Sequence, residues 1–508
     1  MNAFRRLAAM RGRRAPLAGQ LLTVVSAVCL GAVASCGSPA APAAKPPPVN
    51  TLTVKSCMAD GVPARCGTLV VPENRLTGQG RTIAVRFVVI PATGPGKRAA
   101  DPVVWFAGGP GDSAVDSIEG EYPIVMNLNT TRDMVFIEQR GTGSSNPLNC
   151  PPFTGSLSDK AALRKSVESC LASLRGDLRY YTTAMFTDDV SQVLTALHYG
   201  AVNLIGISYG TAAEQVFALR HPAQVRTMTL LSGSPLTVPV FERAPGNSQL
   251  ALDYVFSLCE KTTACHQAFP HLAADWAALW SSLGKSPIVI PAAQSPTKKA
   301  AVVGQDEIQG VVYQAMFTGD LGPIPLVVHT LATASDKASA LLAINRAYQA
   351  SPLPTMGSGV NQMLVYAIDC GDPWFAEQPA ALAGQRDSFE YQTDLANAQW
   401  QQYVCTLIPK SAAAVGHEQL TASAIPVLAF NGAADPIEQP RNMAEVKQLW
   451  PDSLAVAVPG QGHDVWSSAW DPCGAELFKK FVGQASVAGL NTGCMAAVPL
   501  PYFDLILP

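Results

Sequence analysis

Three features of this 508-residue sequence predict an α/β fold on a mostly parallel sheet. Strand-like runs alternate with helical ones. A serine stands between glycines at a strand-to-helix junction. An aspartate and a histidine follow much later, each just past a further strand. Alternation is informative because parallel neighbours need a crossover, usually a helix, that returns the chain to the same edge.

Taken in order, Gly67-TLVVP and Thr82-IAVRFVVIP are β-branched and end in proline, as leading strands would. Pro102-VVWFAGGPG is an apolar run that opens into Gly108, Gly109 and Gly111, so a buried strand leads to a loop whose backbone can approach a ligand. Asp133-MVFIEQRGTGSS reads as another strand and turn. The stripe Val190, Val193, Leu194 and Leu197, preceded by Asp188 and Asp189, is helical. It delivers the chain to Val202-NLIGISYG and the helical run after it. A serine on so sharp a turn projects its hydroxyl above the sheet, and Gly206 and Gly210 allow the bend. After the strand at Met228 the rhythm stops near Pro235. Residues 236–424 are predominantly helical, interrupted by the proline-bounded run Pro287-IVIP, and a stretch that long between strands implies a subdomain. Its expected place is over the active site. The strands resume with Ile425-PVLAFNGAADP and Ser453-LAVAVPGQGH, so residues 51–235 and 425–508 form one domain.

A serine hydroxyl becomes a nucleophile when a base removes its proton and an acid orients and stabilises that base. The chain order serine, acid, histidine is met by Ser208, Asp435 and His463, all expected at the carboxyl edge of the sheet. Asp464 and Asp452 are less well placed to serve as the acid. The remaining histidines, His198, His221, His266, His271, His329 and His417, fall in helical or intervening segments and read as structural. Amides of Tyr209 and of the loop at Gly108 are the expected oxyanion donors. No metal or other cofactor is expected, because neither C-x-x-C nor H-E-x-x-H occurs.

Residues 1–35 carry five arginines and no acid, then an apolar run from Leu21 to Ala34 and the sequence VASC ending at Cys36. This reads as a secretory leader. A small-residue site directly before cysteine resembles the lipobox of bacterial lipoproteins, which implies a lipid on Cys36 and a membrane-attached, extracytoplasmic protein; ordinary cleavage would give a fully secreted one, and an uncleaved leader a membrane-anchored one. Removing the leader moves the formal charge from −3 to −8, which argues against nucleic acid as a partner. Residues 36–50 are rich in proline and alanine and suit an extended tether. Ten cysteines remain, an even number that suits five disulfides in an exported chain; pairing between sequence neighbours is an expectation that the sequence does not fix.

Phe106-AGGPG, Glu138-QRGTGSS and Gly206-ISYGT together resemble the motifs of proline iminopeptidases and secreted tripeptidyl aminopeptidases. The resemblance implies an α/β-hydrolase fold with an eight-stranded sheet and a helical cap. It implies a Ser208–His463–Asp435 exopeptidase acting on peptides with a free N-terminus, with Gly108 and Tyr209 forming the oxyanion hole. Ala107 and Glu138 depart from the family's histidine and aspartate and are expected near the substrate. Asp369, Asp372 and Glu377 are candidates to hold the substrate ammonium. An ester or acyl hydrolase on the same triad, and a surface binding protein without catalysis, are the alternatives, because fold and triad do not set the scissile bond. The number of residues released and the oligomeric state stay open.

Overall fold

The computed structural model describes residues 48–295, 298–348, 360–372, 374, 378–411, 420–465 and 472–507. The leader, Cys36, most of the tether, Glu377 and His417 lie outside the described residues.

The main sheet contains β1 (Leu52–Ala59), β2 (Val62–Pro72), β3 (Thr82–Ile90), β4 (Val103–Phe106), β5 (Met134–Ile137), β6 (Val202–Ile207), β7 (Val225–Leu231), β10 (Val427–Gly432) and β11 (Ser453–Val458). Their order is β1-β2-β3-β5-β4-β6-β7-β10-β11, nine strands where eight were expected. The additional one is β1. Most of its residues are exposed, so it lacks the apolar alternation that marks a strand. It is held by antiparallel pairing with β2 and by the Cys57–Cys66 disulfide. The β1, β2, β3 and β5 pairings are antiparallel; from β5 onward every neighbour is parallel.

Strands β4 and β6 are buried along their whole length, which is why they read as continuous apolar runs. Alternate residues face opposite ways. Val104, Phe106 and Leu204 pack with Phe186, Val190 and Phe217 on one face; Val103, Trp105, Ile205 and Ile207 pack with Ile118, Val125, Phe478 and Phe481 on the other. The covering helices are α1 (Ile118–Val125), α2 (Lys160–Ser173), α3 (Thr183–Ala196), α4 (Tyr209–Arg220), α13 (Val446–Leu449) and α14 (Cys473–Gln484).

Between β7 and β10 lie α5 (Val240–Lys261), α6 (Thr263–Ala268), α7 (Leu272–Lys285), α8 (Gln305–Thr318), α9 (Pro323–Thr333), α10 (Lys337–Tyr348), α11 (Gln362–Gly371) and α12 (Tyr391–Cys405). The proline-bounded run supplies β8 (Ile288–Ile290), which pairs with β9 (Ala301–Val303) in a separate two-stranded sheet. This insertion has its own core of Leu252, Val255, Leu279, Ile308, Val312 and Met316, which Ala434, just after β10, joins. The five disulfides join Cys57–Cys66, Cys150–Cys170, Cys259–Cys265, Cys370–Cys405 and Cys473–Cys494, all sequence neighbours. No helix among the described residues is long and apolar enough to cross a membrane.

Candidate active site

Ser208 follows β6 and precedes α4 with φ 51° and ψ −123°, a conformation few side chains tolerate. Such a residue costs about 1–3 kcal/mol and persists only where its surroundings enforce it. Here they do. The Ser208 amide donates to Leu231 O (3.0 Å), and Thr211 donates to Ser208 O through its amide (2.9 Å) and its hydroxyl (2.7 Å). The flanking glycines are required by space. A Cβ on Gly206 would lie 2.5 Å from Gly210 O, and one on Gly210 only 2.1 Å from Phe106 O.

Asp435 and His463 follow the carboxyl ends of β10 and β11, as expected. Asp435 is fully buried; its Oδ1 accepts the amides of Ile437 and Glu438, both at 2.8 Å, and its Oδ2 meets His463 Nδ1 at 2.9 Å. His463 is 2% exposed and its Nε2 has no hydrogen-bond partner, so no bond to Ser208 Oγ is formed in this structure. The two loops are nevertheless neighbours. Ser232, the residue after Leu231, donates its hydroxyl to His463 O at 2.6 Å. Catalytic hydrogen bonds are commonly long before substrate binds. Burial disfavours the imidazolium, but the charge and hydrogen bond of Asp435, with the charges of Glu438 and Asp464, outweigh it and raise the His463 pKa.

The glycine-rich loop passes beside the serine. A Cβ on Gly108 would lie 3.5 Å from Ile207 O and 3.6 Å from Ser208 Cβ, ordinary contact, so a methyl there would occupy the space facing Ser208. Close approach is stricter at Gly111, φ +104°, where a Cβ would be 2.9 Å from Asn361 O. Tyr209 opens α4 and lies at its electropositive end. Its buried hydroxyl accepts from Gln139 Nε2 and pairs with Thr183 Oγ1, both at 2.8 Å.

The departures from the family motifs resolve differently. Glu138 does not face an open cleft: fully buried, it accepts from Ser113 Oγ and Thr142 Oγ1, both at 2.6 Å, and so staples the glycine-rich loop to the turn after β5. Arg140 is equally buried and holds Asp189 through two 2.7 Å bonds. Asp372 is 1% exposed, and its Oδ2 accepts the Thr183 amide at the start of α3. Asp369 is half-buried on α11. Asp464 is half-buried and donates its amide to Phe317 O at 3.0 Å.

Sequence reasoning did not single out Phe317, Glu438 or Tyr313. The Phe317 ring lies 4.5 Å from that of His463, and a Cβ on Gly462 would meet Met316 O at 1.8 Å, so the end of α8 sits directly on the histidine loop. Nothing in a helical stripe distinguishes the aromatic that packs on the histidine loop. Burial also pushes up the carboxyls of Asp112, Glu121 and Asp464; Glu121 reaches about 8, the charges of Asp112 and Asp464 adding to the effect. Among the described residues no group of three or more His, Cys, Asp or Glu is arranged to hold a metal. An apolar groove of about 430 Å³ lined by Ile290, Ile308, Val327 and Tyr348 belongs to the insertion and does not include Ser208.

A mostly parallel sheet with a strained serine after a central strand defines an α/β-hydrolase fold, and residues 101–277 match the family model described as alpha/beta hydrolase fold. The chain has an α/β-hydrolase fold, and its residues 393–494 match the model described as TAP-like protein. It is 25% identical over 264 residues to the tripeptidyl aminopeptidases of Streptomyces lividans and Streptomyces coelicolor, covering 46% of this chain and 49% of each relative. The chain thus spans about half the length of the curated relatives it matches. Among solved structures, proline iminopeptidase from Mycobacterium smegmatis aligns over 82% of this chain and 96% of its own, at 16% identity and TM-score 0.37.

Proposed function

We propose that this protein is an exported serine exopeptidase that cleaves peptides near a free N-terminus. In this reading Ser208 Oγ attacks the scissile carbonyl while His463 Nε2 takes its proton, and Asp435 stabilises the resulting imidazolium. The amides of Tyr209 and Gly108 receive the negative charge on the tetrahedral oxygen. The imidazolium then protonates the departing amine, and water, activated by the same nitrogen, releases the acyl group from Ser208. The observation that carries the reading is the buried Asp435–His463 pair, with Nδ1 committed to the acid and Nε2 left without a partner, on a loop that Ser232 ties to the end of β7.

Peptide as substrate is supported by the two tripeptidyl aminopeptidases and the TAP-like match. The insertion, residues 236–424, is read as a cap, supported by the contacts of Phe317 and Met316 with the histidine loop. Export is supported by the leader, and membrane attachment by the small-residue site before Cys36.

Purified protein should turn over tripeptidyl or prolyl anilides that carry a free amine and ignore their N-acetylated forms. Turnover of short acyl esters alone, with no dependence on a free amine, would replace the peptidase reading by an esterase. Failure of Ser208 to react with a fluorophosphonate would remove the enzyme reading altogether. Cys36→Ala should release the protein from membranes; unchanged membrane association would end the lipid-anchor reading.

A further inference from the structure

We infer that Glu438 is a positioning residue of the proposed triad: its backbone amide holds Asp435, and its buried carboxyl ties the loop that carries Asp435 to the segment after β7 and governs how His463 responds to pH. The inference rests on the triad reading above and extends it to a residue that never touches substrate.

The backbone of Glu438 supplies one of the two amides that hold Asp435 Oδ1. Its side chain, 7% exposed, turns under the same loop, where Oε2 accepts the Ser234 hydroxyl. Ser234 Oγ in turn accepts from Asn442 Nδ2 at 3.0 Å. The Glu438 carbonyl accepts from Asn431 Nδ2 at 2.8 Å, and the same amide group reaches Gly233 O at 2.8 Å. The residue therefore ties the acid loop after β10 to the segment that follows β7, the segment from which Ser232 holds the His463 carbonyl.

No lysine or arginine pairs with Glu438 among the described residues. Burial pushes its carboxyl up to about 7, Asp435 adding to the rise while Ser234, His463 and Asn442 oppose it. The charged and titratable groups facing the histidine are Asp435, Glu438 and Asp464; from α8, the buried Tyr313 phenol senses Asp435 together with Glu390 and Asp394. Once ionised, Glu438 adds a second negative charge beside the imidazolium that forms when Ser208 loses its proton. With Glu438 protonated, that stabilisation is withdrawn and the imidazole is a weaker base.

The test is the rate of Ser208 phosphonylation by a fluorophosphonate across pH 5–9, with anilide kcat and KM alongside. Reaction with the probe needs the activated serine and no particular substrate. Glu438→Gln should move the acid limb to lower pH by roughly one unit and lower the limiting rate about three- to tenfold, with KM within about twofold. Ser234→Ala keeps the carboxylate but strips the hydroxyl that favours its charge, so it should shift the limb in the same direction by less. If Glu438→Gln does not fold, Ser234→Ala decides by the same criterion. Acid limbs that coincide with wild type overturn the inference. A wild-type protein that never labels overturns the triad itself instead.

Discussion

At Ser208 the backbone strain and the proposed chemistry belong to one residue, and they separate on mutation. Ser208→Ala should abolish anilide turnover, a loss of at least about 10³-fold, while the melting temperature stays within about 2 °C, because the hydroxyl carries no packing. A large fall in melting temperature would show that the serine is structural. Asp435→Asn tests orientation: an amide can present its N–H to Nδ1 and select the tautomer that cannot accept the serine proton at Nε2, with an expected loss of about 10³–10⁴-fold in kcat. Because the folded pKa of His463 is raised above 6.5 by Asp435 against the pull of burial, the active, neutral imidazole is gained only as pH rises through that higher value. The acid limb of kcat/KM should therefore lie above pH 6.5; a limb below 6 contradicts the arrangement. The placement of Ser208, Asp435 and His463 after strands at the carboxyl edge of the sheet was legible in the sequence, since each closes an apolar run and the chain order matches the fold class. Glu438 was not, because a glutamate three residues after the acid looks like any surface residue until burial is known.

Helix α4 is where local propensity and packing disagree. Alanine exceeds glycine by about 1 kcal/mol in a helix, so Gly210→Ala ought to stabilise. The added Cβ would instead lie 2.1 Å from Phe106 O and 2.8 Å from Ala107 O, both backbone atoms of the neighbouring β4 edge. The clash wins: unfolding in urea should show a net loss of at least about 2 kcal/mol, and an unchanged midpoint would mean β4 and α4 can part. Helix α12 is tied to α11 by Cys370–Cys405, which closes a separation of 35 residues. Replacing both cysteines by serine should cost up to roughly 3–4 kcal/mol on loop-entropy grounds, read as a lowered urea midpoint with the main sheet intact. The elements themselves were largely visible in the sequence where they are buried on both sides. Strand β1 was missed because an exposed edge strand leaves no apolar pattern, and only its partner β2 and a disulfide hold it in place.

Across the whole molecule, several buried glutamates hold protons that an unfolded chain would release. Burial raises Glu438 and Glu390 to about 7 and Glu121 to about 8, and pushes fully buried Glu214 in α4 well above its ordinary 4.5, the Gly206 amide opposing. For such groups stability is complete below the unfolded pKa, near 4.5, and is lost as pH rises toward the folded values. Asp101 and Asp188 run the other way: burial opposes ionisation, but Asn203 and Arg132, or His221 and Arg220, hold them low, so their contribution disappears as pH falls below about 4. Melting temperature should therefore peak near pH 5 and decline toward pH 8, while activity, limited by His463, rises over the same interval. A melting temperature that climbs from pH 5 to 8 would contradict the buried, neutral glutamates. The sequence by itself determined what is periodic or ordered along the chain: parallel strands with crossovers, a serine turn, the succession of acid and histidine, and an insertion between strands. Those follow from local sterics and from the alternation of apolar side chains, which need no knowledge of distant partners. Only the tertiary structure decided that α8 rests on the histidine loop, that Glu138 and Arg140 serve the interior, and that the Glu438 amide holds Asp435 while its carboxyl is buried on Ser234. Each depends on which side chains are excluded from water, and exclusion is a property of the assembled layers rather than of any segment.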